Sequence, residues 1–236
     1  MKLVLALVCL ASPAVAQSGP TTFSLPAGCT AFVTVQNASC EVEHHFTCEG
    51  DAEGHQRRVS LDEQGVTYAG EIDAETQWIA SFHALTGHSE SLMPNPTEPA
   101  SLTDLMANSV DDYDFRTTSD MFGETRFVGR DTLTGNEVTI DGVSLLETTY
   151  DLTAYAADGS VIWSGKGREF ISPDWRMFLS GTGVTTTPEG QFEHDDTPVE
   201  FIFPGEPGFL STRPKHGCGV AISSAPLSEE TTYDYL

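Results

Sequence analysis

CTAFVTVQNASCEVEHHFTC, residues 29–48, holds three of the chain's five cysteines and two adjacent histidines, a composition that a metal site, a thiol site or a stapled hairpin would each explain. Apolar and polar residues alternate on either side of a turn-forming centre, Asn37-Ala38-Ser39-Cys40, which is the pattern of two half-buried antiparallel strands. A loop of two or four residues centred there sets Cys29 opposite Cys48, Ala31 opposite Phe46, Val33 opposite His44 and Val35 opposite Val42, all on one face. Directly opposed residues of such a pair come within disulfide range. The spacing therefore favours Cys29–Cys48, leaving Cys40 for Cys218; a three-residue loop would break this pairing, and the other two connectivities stay open. In the chain-entropy view the short and long bridges stabilise by about 3 and about 5 kcal/mol at most.

The histidines separate on this reading. His44 shares the face of Phe46 and is expected as a core imidazole with a hydrogen-bonded partner, while His45 points the other way, beside Glu43. Adjacent strand residues cannot both face one ion, so no metal is expected here.

Alternation continues along the chain. VTYAGEI puts Val66, Tyr68 and Ile72 on one face, YDLTAY puts Tyr150, Leu152 and Ala154 together, and WRMFL does the same for Trp175, Met177 and Leu179. Turn chemistry punctuates these runs at residues 62–65, 133–136, 141–142, 158–159 and 172–174. About a dozen strands joined by short loops imply antiparallel pairing. One helix is expected in SLTDLMAN, capped by Ser101, with Asp104 three residues on and Leu102, Leu105 and Met106 along one side. The preceding MPNPTEPA reads as a loop. The expected fold is mainly β: a large antiparallel sheet curled into a half-barrel or barrel with one short helix, with a β-sandwich as the alternative way of managing its edges.

The chain begins with Met1-Lys2, the apolar run LVLALVCLA and the small-residue site SPAVAQ, the anatomy of a signal peptide over residues 1–16. A membrane anchor would need about 20 apolar residues. Cleavage after Ala16 would remove Cys9 and leave Cys29, Cys40, Cys48 and Cys218, an even set that in an exported chain argues for disulfides. Residues 17–226 are expected as a single antiparallel β domain and 227–236 as an acidic flexible tail. The expected location is periplasmic or extracellular.

With 35 acidic against 11 basic residues the formal net charge is −24. Such a surface repels phosphate backbones and anionic headgroups, so nucleic acid is excluded as a partner class. Catalytic motifs are missing: there is no Gly-x-Ser-x-Gly elbow, no His-Glu-x-x-His and no phosphate loop. GKGRE at 165–169 offers a lone Gly-x-Gly that is expected as a turn, and His216 near Cys218 belongs with a disulfide rather than an activated thiol. The acidic clusters DDYDF (Asp111, Asp112, Asp114) and EHDD (Glu193, His194, Asp195, Asp196) lack the spacing and glycine of a calcium loop.

The stretches VGRDTLTGNEVTIDG and GREFISPDWRMFLSG resemble those of exported alpha-proteobacterial proteins without an assigned function. The succession of antiparallel strands with one inserted helix is similar, in architecture only, to periplasmic lipoprotein-carrier half-barrels. The first functional reading is a curved sheet that shelters an apolar or amphipathic ligand. The aromatic residues on strand templates that would line such a cavity are Phe82, Phe127, Trp163, Phe170, Trp175 and Phe178, set against the simpler reading that they fill the core. The expectation is a non-enzymatic, ligand-binding protein without a cofactor, with a lipid-like ligand or an envelope protein as partner. An envelope interaction or assembly protein is the alternative, and a hydrolase using scattered acidic residues is the third reading.

Overall fold

The stapled hairpin is present. The computed structural model describes residues 21–219, and in it β1 (Cys29–Asn37) pairs antiparallel with β2 (Val42–Cys48). Both disulfides, Cys29–Cys48 and Cys40–Cys218, form as the spacing favoured. The register agrees with the expected one at the cysteine end only. A bulge at Phe32 then shifts the pairs to Val33–His45, Thr34–His44, Val35–Glu43 and Gln36–Val42, because an extra residue on one strand slips every partner beyond it. Burial could not reveal the slip, since Val33, Thr34, Val35 and Gln36 are all fully buried and both faces of β1 are covered.

The strands then run as a meander: β3 (Gln56–Leu61), β4 (Val66–Ile72), β5 (Trp78–His83), β6 (His88–Leu92), β7 (Val110–Ser119), β8 (Gly123–Ile140), β9 (Val143–Ala156), β10 (Val161–Ser172), β11 (Met177–Thr187) and β12 (Gly190–Asp195). β13 (Pro198–Ile202) returns to pair with β1. The result is one open thirteen-stranded antiparallel sheet with β12 and β13 at its edges. Two expected turns are absent. Residues 133–136 lie within β8, where they form an irregularity in its pairing with β9, and residues 165–169 lie in the middle of β10. In both places a glycine that suggests a turn serves a strand instead. At Gly167 a Cβ would stand 2.1 Å from the carbonyl oxygen of Thr182, so only glycine permits the close approach of β10 to β11.

The helix α1 (Leu102–Asn108) starts where its cap predicts, with Asp104 N–H donating to Ser101 Oγ. Leu102 and Leu105 are buried against Ile171, Leu133, Leu146 and Phe178. Met106, expected on the same side, is 37% exposed; the two leucines are three residues apart and the apolar contact is too narrow to take a third side chain.

Three sets of contacts fix the curl. Val33 and Val35 of β1 and Phe201 of β13 pack against Leu145 of β9 and Met177 and Leu179 of β11, so the two ends of the sheet meet in one core. The turn between β10 and β11 reaches across to the turn between β4 and β5: Arg176 donates to Ala74 O at 3.1 and 2.9 Å and pairs with Glu75 at 3.2 Å. Glu75 in turn accepts from Thr103 N–H and Oγ1, at the start of α1. Finally, Asp141 at the tip of the β8–β9 hairpin accepts from Phe201 N–H on the free edge of β13, a covering that blunts an otherwise exposed strand.

On the convex side of β1–β3, Ala31, Val42, Phe46, Val59 and Leu61 are covered by Phe23, Leu25, Phe209 and Leu210. Thr34 Oγ1 accepts from Leu210 N–H, and Gln36 bonds the backbone of Arg213 and Lys215. Residues 1–16 and 227–236, read from the sequence as signal peptide and tail, lie outside the described residues. Among the described residues no helix is long and apolar enough to cross a membrane.

Candidate functional site

The concave face of the sheet encloses a cleft of about 500 Å³ to which every strand from β3 to β12 contributes a side chain. Strand alternation chooses those side chains. On β7, Asp111, Tyr113, Phe115 and Thr117 are buried while Asp112 and Arg116 between them are exposed, as period-two geometry requires. The DDYDF cluster is thereby split: Asp111 points inward and accepts from Ser101 N–H at 2.9 Å, whereas Asp112 pairs with Arg130 and Asp114 with Arg126. EHDD divides likewise, with His194 lining the cleft and standing 3.5 Å from Tyr150 Oη.

One wall is aromatic. Phe115 and Phe127 stack at 5.2 Å, Trp78 meets both edge-on at 5.4 and 5.3 Å, and Trp163 flanks Phe127 at 6.2 Å. Trp78 remains 42% exposed although it packs against two rings, so a large apolar surface faces the cleft rather than the core.

The rest of the lining is polar and includes Arg58, whose buried partner Glu43 is not itself part of it. Glu43, almost fully buried on β2, accepts from Ser60 Oγ at 3.4 Å, bonds His45 Nε2 at 3.2 Å and pairs with Arg58 at 3.2 Å. Burial opposes its ionisation, but Arg58 and then His45 more than offset that and hold its carboxyl at about 2. The Arg58 guanidinium also lies 4.8 Å over the Tyr68 ring. Asp131 on β8 and Glu169 on β10 complete the polar lining. Burial, reinforced by Glu169 and Asp111, pushes Asp131 up to about 8. Burial pushes Glu169 up to about 7, with Arg58 pulling the other way. Burial also raises the phenols of Tyr113 and Tyr150, the latter to about 12. At neutral pH Asp131 is therefore mostly protonated, Glu169 is about half so and the phenols keep their protons, so the polar lining donates as well as accepts.

A broader depression of about 980 Å³ lies over β8–β12, with Arg130, Lys166 and Arg168 among its residues. It is open to solvent and has no aromatic wall, so the enclosed cleft is the better candidate.

Of the six aromatics singled out from sequence, Phe127, Trp163 and Phe178 line the cleft. The other three do not. Phe82 is 41% exposed and faces away from the cleft, because a bulge at Ile79 lets Trp78 and then Ser81 and His83 turn inward. Phe170 and Trp175 pack into the core between the sheet's two ends. Trp78, Arg58, Asp131 and Glu169 were missed: their inward orientation follows from register, and Glu169 sits in the stretch misread as a turn. His44 is the expected core imidazole, sharing a 3.0 Å hydrogen bond with Thr34 Oγ1.

Fold and site together define a curled, open antiparallel sheet around an aromatic cleft with a protonatable polar end. No family model, curated protein or solved structure matches the chain.

Proposed function

We propose that this protein is a non-enzymatic binding protein of an exported, oxidising compartment, which shelters an amphipathic ligand within the curled sheet. The observation that carries the reading is the half-exposed Trp78 on its aromatic wall, opposite a polar group of Arg58, Asp131 and Glu169. A cleft of this volume suits a small ligand or one end of a larger one. The apolar part lies along Trp78, Phe115, Phe127 and Trp163; a neutral or cationic polar end meets the two carboxyls, which lose their protons near or just above neutrality. The overall charge works in the same direction, raising the local concentration of cations.

Titration of long-chain alkyl amines, alcohols and carboxylates into the Trp175→Phe variant, in which tryptophan emission comes largely from the cleft, tests this. Saturable changes with the amine or alcohol are expected, weakened about tenfold by Phe127→Ala, in line with the loss of a buried aromatic contact. No saturable change with any of the three classes would overturn the reading.

A hydrolase is the second reading, favoured by one observation: two carboxyls with raised pKa values share the cleft, as general acids do. Turnover of a glycoside or ester panel that disappears in both Asp131→Asn and Glu169→Gln would establish it over the binding role.

A further inference from the structure

The sequence segment HALTGHSE, residues 83–90, forms the tight β5–β6 hairpin at the rim of the cleft, and its register places two histidines directly opposite each other. His83 pairs with His88 across the two strands, and Glu90, two residues along β6, shares their face. We propose that His83, His88 and Glu90 form a binding site for a divalent transition-metal ion of the zinc class, independent of the ligand reading above.

Each residue offers one ligand atom, and these atoms all lie within 4.8 Å of one another. Around a tetrahedral ion with bonds of about 2.0–2.2 Å, ligand atoms stand about 3.3–3.5 Å apart. His88 Nε2 and Glu90 Oε1 are already 3.5 Å apart. The remaining polar atoms are held as supporting groups hold metal ligands. Thr86 Oγ1 bonds His88 Nδ1 at 2.6 Å, which leaves Nε2 for the ion. Thr117 Oγ1 donates to the other oxygen of Glu90 at 3.2 Å, and Ser81 Oγ is 3.3 Å from His83 Nε2.

Two imidazoles and one carboxylate select zinc, copper, nickel or iron over magnesium and calcium, which prefer all-oxygen sets. Without an ion the two rings stack, 4.5 Å between centroids and 2° between planes. Imidazole lone pairs lie in the plane of the ring, so two parallel rings direct theirs within separate planes that share no point, and loading turns one imidazole out of the stack. With three protein ligands the fourth position is left for water or for a polar group in the cleft, since His83 and Glu90 also line that cavity. The other cluster of metal-ligating residue types among the described residues, Cys40, Glu63 and Cys218, has both thiols in a disulfide and is not available.

The test uses the whole mature protein, stripped with a chelator and titrated calorimetrically with Zn²⁺, with Co²⁺ absorption as a report on coordination. One ion per chain is expected, with affinity reduced about 100-fold or more in His83→Ala and His88→Ala and unchanged in His55→Ala, whose imidazole pairs with Glu71 elsewhere. Circular dichroism confirms that each variant is folded. A second measurement needs no variant: sub-stoichiometric Zn²⁺ should shift the ring resonances of His83 and His88 and leave those of His44 and His55 in place. Absence of binding to the wild type, binding undiminished in both histidine variants, or shifts confined to other histidines would overturn the proposal.

Discussion

Asp131 and Glu43 are carboxyls with nearly the same burial and opposite fates. Glu43 has Arg58, His45 and Ser60 within bonding distance and stays ionised. Asp131 faces Glu169 and Asp111 with no cation beside it, and is pushed up to about 8. A carboxyl whose folded pKa is raised binds its proton more tightly in the native state, so it makes stability fall as pH rises from the unfolded value, 3.8, through about 8. Asp131→Asn removes that dependence. The variant is expected to gain about 2 kcal/mol over the wild type at pH 9 and little at pH 4, read from denaturant midpoints; the full shift would give more, but water in the cleft screens part of it. Equal midpoint differences at both pH values would show that Asp131 ionises normally.

At the scale of elements, α1 packs its two core leucines on Leu133, Leu146, Ile171 and Phe178 of β8–β11. Leu105 is 1% exposed beneath it, and Leu105→Ala should destabilise by about 2–5 kcal/mol, whereas Met106→Ala on the solvent side should change stability by less than about 0.5 kcal/mol. In β10, Gly167→Ala drives a Cβ into the backbone of β11. It should therefore disrupt β10–β11 pairing, seen as loss of amide protection along Arg168–Ser172 in hydrogen exchange. These two elements also mark how far the sequence could be read. The α1 cap and the two core leucines were legible because local chemistry fixes them: Ser101, then an acidic residue, then apolar spacing. The strands were legible from alternation, and their number was nearly right. Gly167 and the residues around Gly135 were not, since a glycine that allows close backbone approach, as at Gly167, or a positive-φ irregularity within a strand, as at Gly135, looks in sequence like one that allows a turn. Register was the deeper gap. The bulge at Phe32 shifts the partners of β1, and the one at Ile79 reverses which residues of β5 face the cleft, and with it went Phe82 as a lining residue. Trp78, Asp131 and Glu169 were invisible for the same reason: only the assembled sheet shows that strands as distant as β3 and β10 face one another.

For the molecule as a whole, the long disulfide spans 178 residues and ties the segment after β13 back to the β1–β2 loop. It adds little to the meander, whose pairs are local, but it clamps residues 209–218 over the convex face. The double variant Cys40→Ser, Cys218→Ser should lose up to about 5 kcal/mol by chain entropy and should expose residues 209–215 to proteolysis before the sheet unfolds. Cleavage rates equal to those of the wild type would place the clamp elsewhere. The formal charge of −24 is spread over a surface where most cations are already paired, among them Arg57, Arg126, Arg130 and Lys215. It therefore bears on partners rather than on the fold. The cleft is the feature on which the functional account turns. It is most directly tested by native mass spectrometry of the full chain expressed in an exporting host and purified under mild conditions, followed by denaturation and extraction of the same sample. The account predicts an adduct of small-molecule mass that leaves on denaturation, is reduced by Trp78→Ala and carries a neutral or cationic polar end. A clean apo mass under conditions where the cleft is intact, alongside a discrete protein complex of higher mass, would contradict it and make assembly the function.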